Sequence, residues 1–476
     1  MVLNSQQRQI GKDNYEDAVR ITRRQLLARA VVVPTAAAMY WGYKELTGDP
    51  VRVAVIGTGD QGTAHIKSMN PAYLKMVAFS DIRPSNQKAA RDLLDKKFGP
   101  DAKGIKLYED YHELLADPNV EMVIIAVPLF QHAEVSIAAL RAGKHVLCEK
   151  LMAKTVTECK DMVREADKAK RLLAIGHQRH YSYLYANCLS IIEQNEILGD
   201  IRHIRAFWHR NQTGYGAKGA EMGTEDSWSG KKKLLPEDAN VDVKKYGYES
   251  LDELVHWRIR GRTGAGLMAE LGSHQLDAAS IFLGKVHPIA VQGTGVKSFF
   301  KDNREIEDHI FLAFEFPGEV VVTYSSISTN AFDGYGEEVM GTRGTMIVQE
   351  EKDAYLFSEM PGGAGKDTRI TWAENRMSRP SVESGSTTAV GSGVGPENTL
   401  TSRGYREEQE HLCWIIRNGG IACPQQPRCN GRVALGDAVI ALTSNIAMKL
   451  GKKIAFKKEW FDVALPDTPE KDYPTE

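Results

Sequence analysis

At 476 residues the chain is long enough for two or three domains with large cores. Its 60 Lys and Arg nearly balance 62 Asp and Glu, which argues against a dedicated nucleic-acid binder. Cys148, Cys159, Cys188, Cys413, Cys423 and Cys429 make no Cys-x-x-Cys pair, so they read as buried thiols rather than a disulfide framework or a zinc site.

Residues 1–49 form a segment of their own. Thr22-Arg-Arg-Gln-Leu-Leu27 precedes a mildly apolar stretch, Ala28 to Tyr40, and Ala36–Ala38 supplies small residues suited to cleavage. Twin arginines before a modest apolar run are expected to be a Tat-type export signal, which places the protein in the periplasm. The competing expectation is an amphipathic N-terminal arm on a cytoplasmic protein. Arg29 and Pro34 interrupt the run, so no stable membrane span is expected.

From Val51 strand and helix alternate, as a doubly wound α/β sheet requires. The buried run Val53–Ile56 leads into Gly57-Thr58-Gly59-Asp60-Gln61-Gly62 and a helix. Glycines there serve a tight turn, close approach by a pyrophosphate and helix-on-strand packing, and the helix N-terminus faces the phosphates. A second run, Met76–Phe79, ends at Asp81, about 20 residues on, where an acid meets the adenosine ribose. Helices are expected at Ser85–Phe98 and Tyr111–Ala116, a strand at Val120–Val127, a helix at Leu129–Arg141 and a strand at His145–Cys148. The capping box Thr155-x-x-Glu158 opens a helix to about Lys170, and Leu172–Ile175 closes a Rossmann domain spanning 50–176.

The pattern then changes to half-exposed strands: Ile201–His209, Ile289–Val296, His309–Phe316, Val320–Ser328 and Thr345–Gln349. Short turns between them predict an α+β domain, 177–460, on an open and mainly antiparallel sheet, with a tail at 461–476. Asn211–Ser250 reads as an insertion and Pro361–Gly404 as a long loop. Tyr405–Arg417 and Gly431–Leu450 read as helices.

Three constellations carry chemistry. Ala126-Val-Pro128 with His132 ends one strand and starts a helix, where a nicotinamide or its ribose fits. Residue type alone allows equally a proline-initiated helix with a surface histidine. Glu149-Lys150 ends another strand, and a lysine in such a crevice can exchange a proton with a hydroxyl. Glu270, His274 and Asp277, if helical, share one face, and a carboxylate beside an imidazole makes an acid/base pair. A metal site and a packed core network are the alternatives there, and no metal is expected.

With Gly57–Gly62, these motifs, Ala142-Gly-Lys-His-Val-Leu-Cys-Glu149-Lys150, Gly176-His-Gln-Arg179 and Gly272-Ser-His274-Gln-Leu-Asp277, the chain resembles the glucose–fructose oxidoreductase / inositol dehydrogenase / rhizopine catabolism (Gfo/Idh/MocA) family. The twin-arginine start is similar to exported members. The resemblance implies an NAD(P)-dependent oxidoreductase acting on a sugar, polyol or glycoside, as a homodimer or homotetramer that buries its open sheet. The loop Gly57–Gly62 and Asp81 would hold the adenosine half of the cofactor, and Pro128, His132 and Glu149 its nicotinamide half. Lys150 and His274 would be catalytic, with Glu270 orienting. Leu151 stands where the family usually has proline, and Glu270 where it has aspartate.

Asp81 favours NAD over NADP, because its charge repels a 2′-phosphate, while nearby Arg83 keeps NADP open. Tyr181, Trp257, Arg258 and Asp277 are candidate sugar contacts. Two other functions compete with a dehydrogenase. One is an NAD-dependent glycosidase that oxidises transiently and keeps its cofactor; the other is a catalytically silent dinucleotide-binding protein.

Overall fold

The computed structural model describes residues 3–27, 41–195, 197–214, 226–229, 234–358 and 402–475. The stretch Ala28–Tyr40 with its expected cleavage site, nearly all of the Pro361–Gly404 loop and part of Asn211–Ser250 lie outside them.

Six strands build the first sheet: β1 Val51–Ile56, β2 Leu74–Ser80, β3 Lys106–Tyr108, β4 Met122–Ile125, β5 His145–Cys148 and β6 Leu173–Ile175. All pair parallel, in the order β3-β2-β1-β4-β5-β6. Packing covers both faces, so the central strands are apolar throughout rather than alternating; every residue of β4 is buried. Val51, Val53 and Val55 pack on one side with Leu412, Cys413 and Ile415, while Ala54 and Ile56 join the core on the other. The helix Tyr405–Arg417 therefore returns from the far end of the chain to cover the first sheet.

The second sheet holds β7 Ile201–His209, β8 Ala290–Val296, β9 His309–Phe316, β10 Val320–Ile327, β11 Tyr335–Gly341, β12 Gly344–Gln349, β13 Asp353–Ser358 and β14 Ile454–Ala455. Their order is β13-β12-β11-β7-β10-β9-β8-β14. Pairing is antiparallel except at the centre, where β7 and β10 run parallel. The sheet is the open, mainly antiparallel one expected. Strand β11 escapes a reading of the sequence because Tyr335-Gly-Glu-Glu-Val-Met-Gly341 has neither alternation nor an apolar run. Its Glu337 is fully buried and ion-paired to Arg179, an arrangement that only the fold supplies. Helix Ser273–Phe282 packs on β7, β10 and β11. Val296, Phe311 and Val321 are exposed on the sheet's other face.

The segment before Val51 is part of this packing. A helix, Ser5–Leu27, lies along β13. Ala18 and Val19 are buried, Asn14 Nδ2 donates to the Leu356 carbonyl at 2.9 Å, and Lys12 pairs with Asp353 at 2.8 Å. Farther along, Trp41 packs on Tyr181 and Tyr183, and Tyr43 Oη donates to Glu410 at 2.8 Å. Among the described residues, one helix is long and apolar enough to cross a membrane, Gly431–Leu450. Its apolar surface is taken up by helix Val156–Ala169, β8 and helix Ser273–Phe282. All six cysteines are buried and free.

Candidate functional site

A parallel sheet opens a crevice where neighbouring strands send their connections to opposite faces, and here that point lies between β1 and β4. Gly57 turns the chain off β1 with φ +85°, and a Cβ there would meet the Ala126 carbonyl oxygen at 2.6 Å. Gly59 is the opposite case: a Cβ would meet only Asn86, at 3.9 Å, so the space over the loop is open. Asp81 ends β2 beside it. Its Oδ2 accepts from the Thr58 backbone N–H at 2.7 Å and from Asn86 Nδ2 at 3.1 Å, and its Oδ1 from the Arg83 N–H at 2.8 Å. Burial pushes its carboxyl upward against these hydrogen bonds.

The crevice continues as a cleft of about 440 Å³ along the carboxyl ends of the strands and across to the second domain. Gly57, Gly59, Asp60, Gln61, Asp81, Pro128, His132, Glu149, Lys150, Trp257, Arg258, Glu270 and His274 all line it. Thr58 supports Asp81 from beneath. The open loop, the acid at the end of β2 and the cleft running to Glu149 and Lys150 fit a nicotinamide dinucleotide. Gly57–Gly62 would hold its pyrophosphate and Asp81 its adenosine ribose.

Glu149 is held by Gln61 Nε2 at 2.9 Å, by the buried His65 Nε2 at 2.7 Å and by the Lys150 N–H at 3.0 Å. Burial alone would raise its carboxyl; the bond from His65 and the charges of His65 and Lys150 outweigh this and hold it below its usual range. His132 is clamped between the Leu151 carbonyl at 2.8 Å and the Val127 carbonyl at 2.9 Å. It thus ties the two strand-end loops together, and burial depresses its pKa. The Lys150–Leu151 peptide bond is cis. Lys150 Nζ donates to the Glu270 carbonyl at 2.9 Å.

Glu270, His274 and Asp277 do not form the expected trio. Met268–Gly272 is a π-helical turn, whose wider spacing breaks the i, i+4 alignment that an α-helix would give. Glu270 Oε2 accepts from Arg258 Nε at 2.9 Å, and no hydrogen bond joins it to His274 among the described residues. The assignment of Glu270 as the group orienting His274 is corrected accordingly: its carboxylate holds Arg258. Burial would raise it, and the charges of Lys150 and Arg258 bring it below its ordinary value.

His274 Nδ1 has no partner among the described residues, and burial, reinforced by the charges of Lys150 and Arg179, depresses its pKa well below 6.5. Its ring sits 5.8 Å from that of Trp208. Its backbone is fixed by Arg179, which donates to the His274 carbonyl at 2.6 Å while pairing with Glu337 and Glu351.

Two expected sugar contacts are also corrected. Tyr181 is buried away from the cleft, its hydroxyl bonded to His411 at 2.8 Å and to the Arg428 N–H at 2.9 Å. Asp277 is fully buried and accepts from His180 at 2.8 Å and Lys285 at 2.5 Å. Lys285 also bridges to Asp437 at 3.0 Å, so its ammonium is the cation of this carboxylate cluster. Trp257 remains in the cleft wall, with the Arg258 guanidinium over its ring at 4.3 Å. Trp208, Trp228 and Tyr405 line the cleft without having been singled out, since each lies far along the chain from any motif. His65 carried a weak signal, a histidine on the helix that follows the glycine loop.

Fold and site together define a two-domain protein whose first domain is built to hold a dinucleotide. Residues 51–177 match the model of an oxidoreductase family's NAD-binding Rossmann fold, and residues 238–347 that of the GFO/IDH/MocA C-terminal domain. Residues 51–177 are thus similar to the NAD-binding Rossmann domain, and residues 238–347 to the C-terminal domain, of the Gfo/Idh/MocA oxidoreductases.

Over 150 residues it is 35% identical to inositol 2-dehydrogenase of Salmonella typhimurium, which covers 31% of this chain and 43% of that one. The chain thus spans under half the length of such inositol dehydrogenases. An uncharacterised oxidoreductase of Schizosaccharomyces pombe is 25% identical over 340 residues, 68% of this chain and 78% of that one. Among solved structures, the WlbA dehydrogenase of Chromobacterium violaceum, in complex with NADH and UDP-GlcNAcA, superposes with a TM-score of 0.60 at 18% identity. That match covers 90% of this chain and 99% of the other.

The two loop glycines separate stability from binding. Gly59→Ala is expected to leave the melting temperature of the free protein unchanged and to weaken NAD roughly tenfold or more, because its methyl enters the open space. Gly57→Ala should lower the melting temperature itself. Calorimetry with and without NAD reads both; undiminished NAD binding in Gly59→Ala would put the pyrophosphate elsewhere.

Proposed function

We propose that the protein is an NAD-dependent dehydrogenase acting on a secondary alcohol of a sugar, polyol or glycoside. The observation that carries this reading is the convergence of Lys150, from the end of β5, and His274, from the second domain, on one cleft walled by Trp208, Trp228 and Trp257. Indole faces suit the C–H faces of a polyol, and Lys150 and Arg258 suit its hydroxyls. The inositol dehydrogenases among the relatives support the same substrate class. Bound NAD supplies a hydride acceptor. Neutral at physiological pH through its burial, His274 takes the hydroxyl proton, and the Lys150 ammonium steadies the oxygen as charge develops on it.

Turnover of a panel of sugars, inositols and glycosides, read by NADH fluorescence and product mass, tests the reaction class. Cleaved glycoside without net NADH would move the protein to the transient-oxidation reading. Lys150→Ala and His274→Ala should each lower kcat by roughly 10²–10⁴-fold with little change in NAD affinity. Normal turnover in both would leave the assignment without support. A base with a depressed pKa stays unprotonated as the medium acidifies, so the acid limb of the kcat profile should fall below pH 6.5. A limb at or above that value would exclude His274 as the base.

The assembly reading rests on the uncovered face of the second sheet, where Phe311 is 43% exposed and Val321 39%. A homodimer or homotetramer covers that face. Phe311→Glu should shift the mass in solution to that of a monomer; a native protein already monomeric at micromolar concentration would refute the reading.

The N-terminal segment acts as both address and arm in this proposal. Docking of Ser5–Val19 on β13 supports an arm that stays with the folded chain, and Arg23-Arg24 supports export. Lysines at both positions should leave the protein in the cytoplasm, and an unchanged location would remove the export function.

A further inference from the structure

Arg83 lines the adenosine end of the cleft, two residues beyond Asp81, and is the group that leaves NADP open in the sequence. Its charge is already taken. Asp238, from the short turn Pro236–Asp238, is fully buried against it. Asp238 Oδ2 accepts from Arg83 Nε at 2.9 Å, from the second guanidinium nitrogen at 2.8 Å and from Ser85 Oγ at 2.7 Å. Oδ1 accepts from the Ser85 backbone N–H at 2.9 Å. A guanidinium fork, a hydroxyl and a backbone N–H thus converge on one anion, the donor set that recognises a phosphate monoester. Here the anion is the chain's own. Burial would raise the Asp238 carboxyl, but the bonds from Ser85 and Arg83 outweigh it and keep the group ionised.

We propose that Asp238 is a specificity-determining residue for the cofactor: by occupying Arg83 and Ser85 it removes the donors that a 2′-phosphate requires and leaves the ribose to Asp81. This rests on the dinucleotide reading of the first domain and adds a second source of its selectivity. Asp81 repels the 2′-phosphate, while Asp238 withholds the residues that would otherwise compensate. The turn carrying Asp238 does not depend on that carboxylate alone for its place. Val243, Tyr248 and Leu254, a little farther along the same segment, form an apolar cluster with Ile82 and Phe130 of the first domain. Removing the carboxylate should free Arg83 without releasing the segment.

The experiment is a calorimetric titration of the full-length protein with NAD, NADP and adenosine 2′,5′-bisphosphate. It compares the unmodified chain with Asp238→Ala, Asp238→Asn and the double variant Arg83→Ala/Asp238→Ala. The unmodified protein should prefer NAD. Asp238→Ala should gain roughly 10- to 100-fold in affinity for NADP and for the bisphosphate, the range of one or two recovered charge-assisted hydrogen bonds, while NAD changes less than about threefold. Asp238→Asn, which keeps the shape and loses the charge, should gain less, and it decides the question if the alanine variant does not fold. The double variant should lose the gain, because Arg83 is its source. Unchanged NADP affinity in a folded Asp238 variant that still binds NAD would overturn the proposal, as would a gain that survives removal of Arg83. Failure of the unmodified protein to bind NAD is a different result, one that overturns the cofactor reading itself.

Discussion

The molecule is organised by a topological constraint: a parallel sheet leaves room for a ligand only where two neighbouring strands send their connections to opposite faces. Strands β1 and β4 part in this way between Gly57 and Ala126, so closely that no side chain fits on Gly57. The cleft's polar groups are arranged around that gap. Asp81 lies one strand to one side, and Glu149 and Lys150 one strand to the other. The second domain closes over the line they define, contributing Trp208, Arg258, Glu270 and His274.

Placing that many ionisable groups out of water has a physical cost, and the fold meets it by pairing across domains. A buried charge without a partner is costly, whereas one with a well-directed opposite charge and further hydrogen bonds is tolerated. Lys150 of the first domain donates to the Glu270 carbonyl of the second, and Arg83 of the first pairs with Asp238 of the second. Behind the cleft, Arg179 follows β6 and is shared by Glu337 and Glu351 of the second sheet, while also holding the backbone of His274. The Lys150 and Arg83 contacts tie the two domains together, while the Arg179 network holds the backbone of His274 within the second. His274 is the exception. Among the described residues its Nδ1 has no hydrogen-bond partner, and burial, with the charges of Lys150 and Arg179, lowers its pKa well below the ordinary value.

Much of this was legible in the residue order, for identifiable reasons. Parallel strands covered on both faces must be continuously apolar, so β1, β2, β4 and β5 stand out in the sequence. The glycine loop, the capping box at Thr155 and the Asp at the end of β2 are local devices that work through neighbours in the chain. Lys150, His274 and Glu149 could be singled out because each lies at the end or start of such an element. The local signal failed where helical periodicity was assumed. A single π-helical turn at Met268–Gly272 sends Glu270 to Arg258 instead of His274, and nothing in Met-Ala-Glu-Leu-Gly announces it.

By itself, then, the sequence determined the class of fold and the glycine loop, and it singled out Asp81 as the candidate ribose-side acid and two candidate proton-handling groups. These follow from periodicity, turn chemistry and chain-local spacing. Tertiary structure alone decided which side chains share a wall or a charge. Tyr181 and Asp277 were drawn away into buried hydrogen bonds with His411, His180 and Lys285, while Trp208, Trp228 and Tyr405 were brought to the cleft. Asp238 lies 155 residues from Arg83 in the chain and 2.8 Å from it in space. The physical reason is that burial and partnership between ionisable groups are properties of distance after folding, and residues so far apart in the chain meet only in the folded structure.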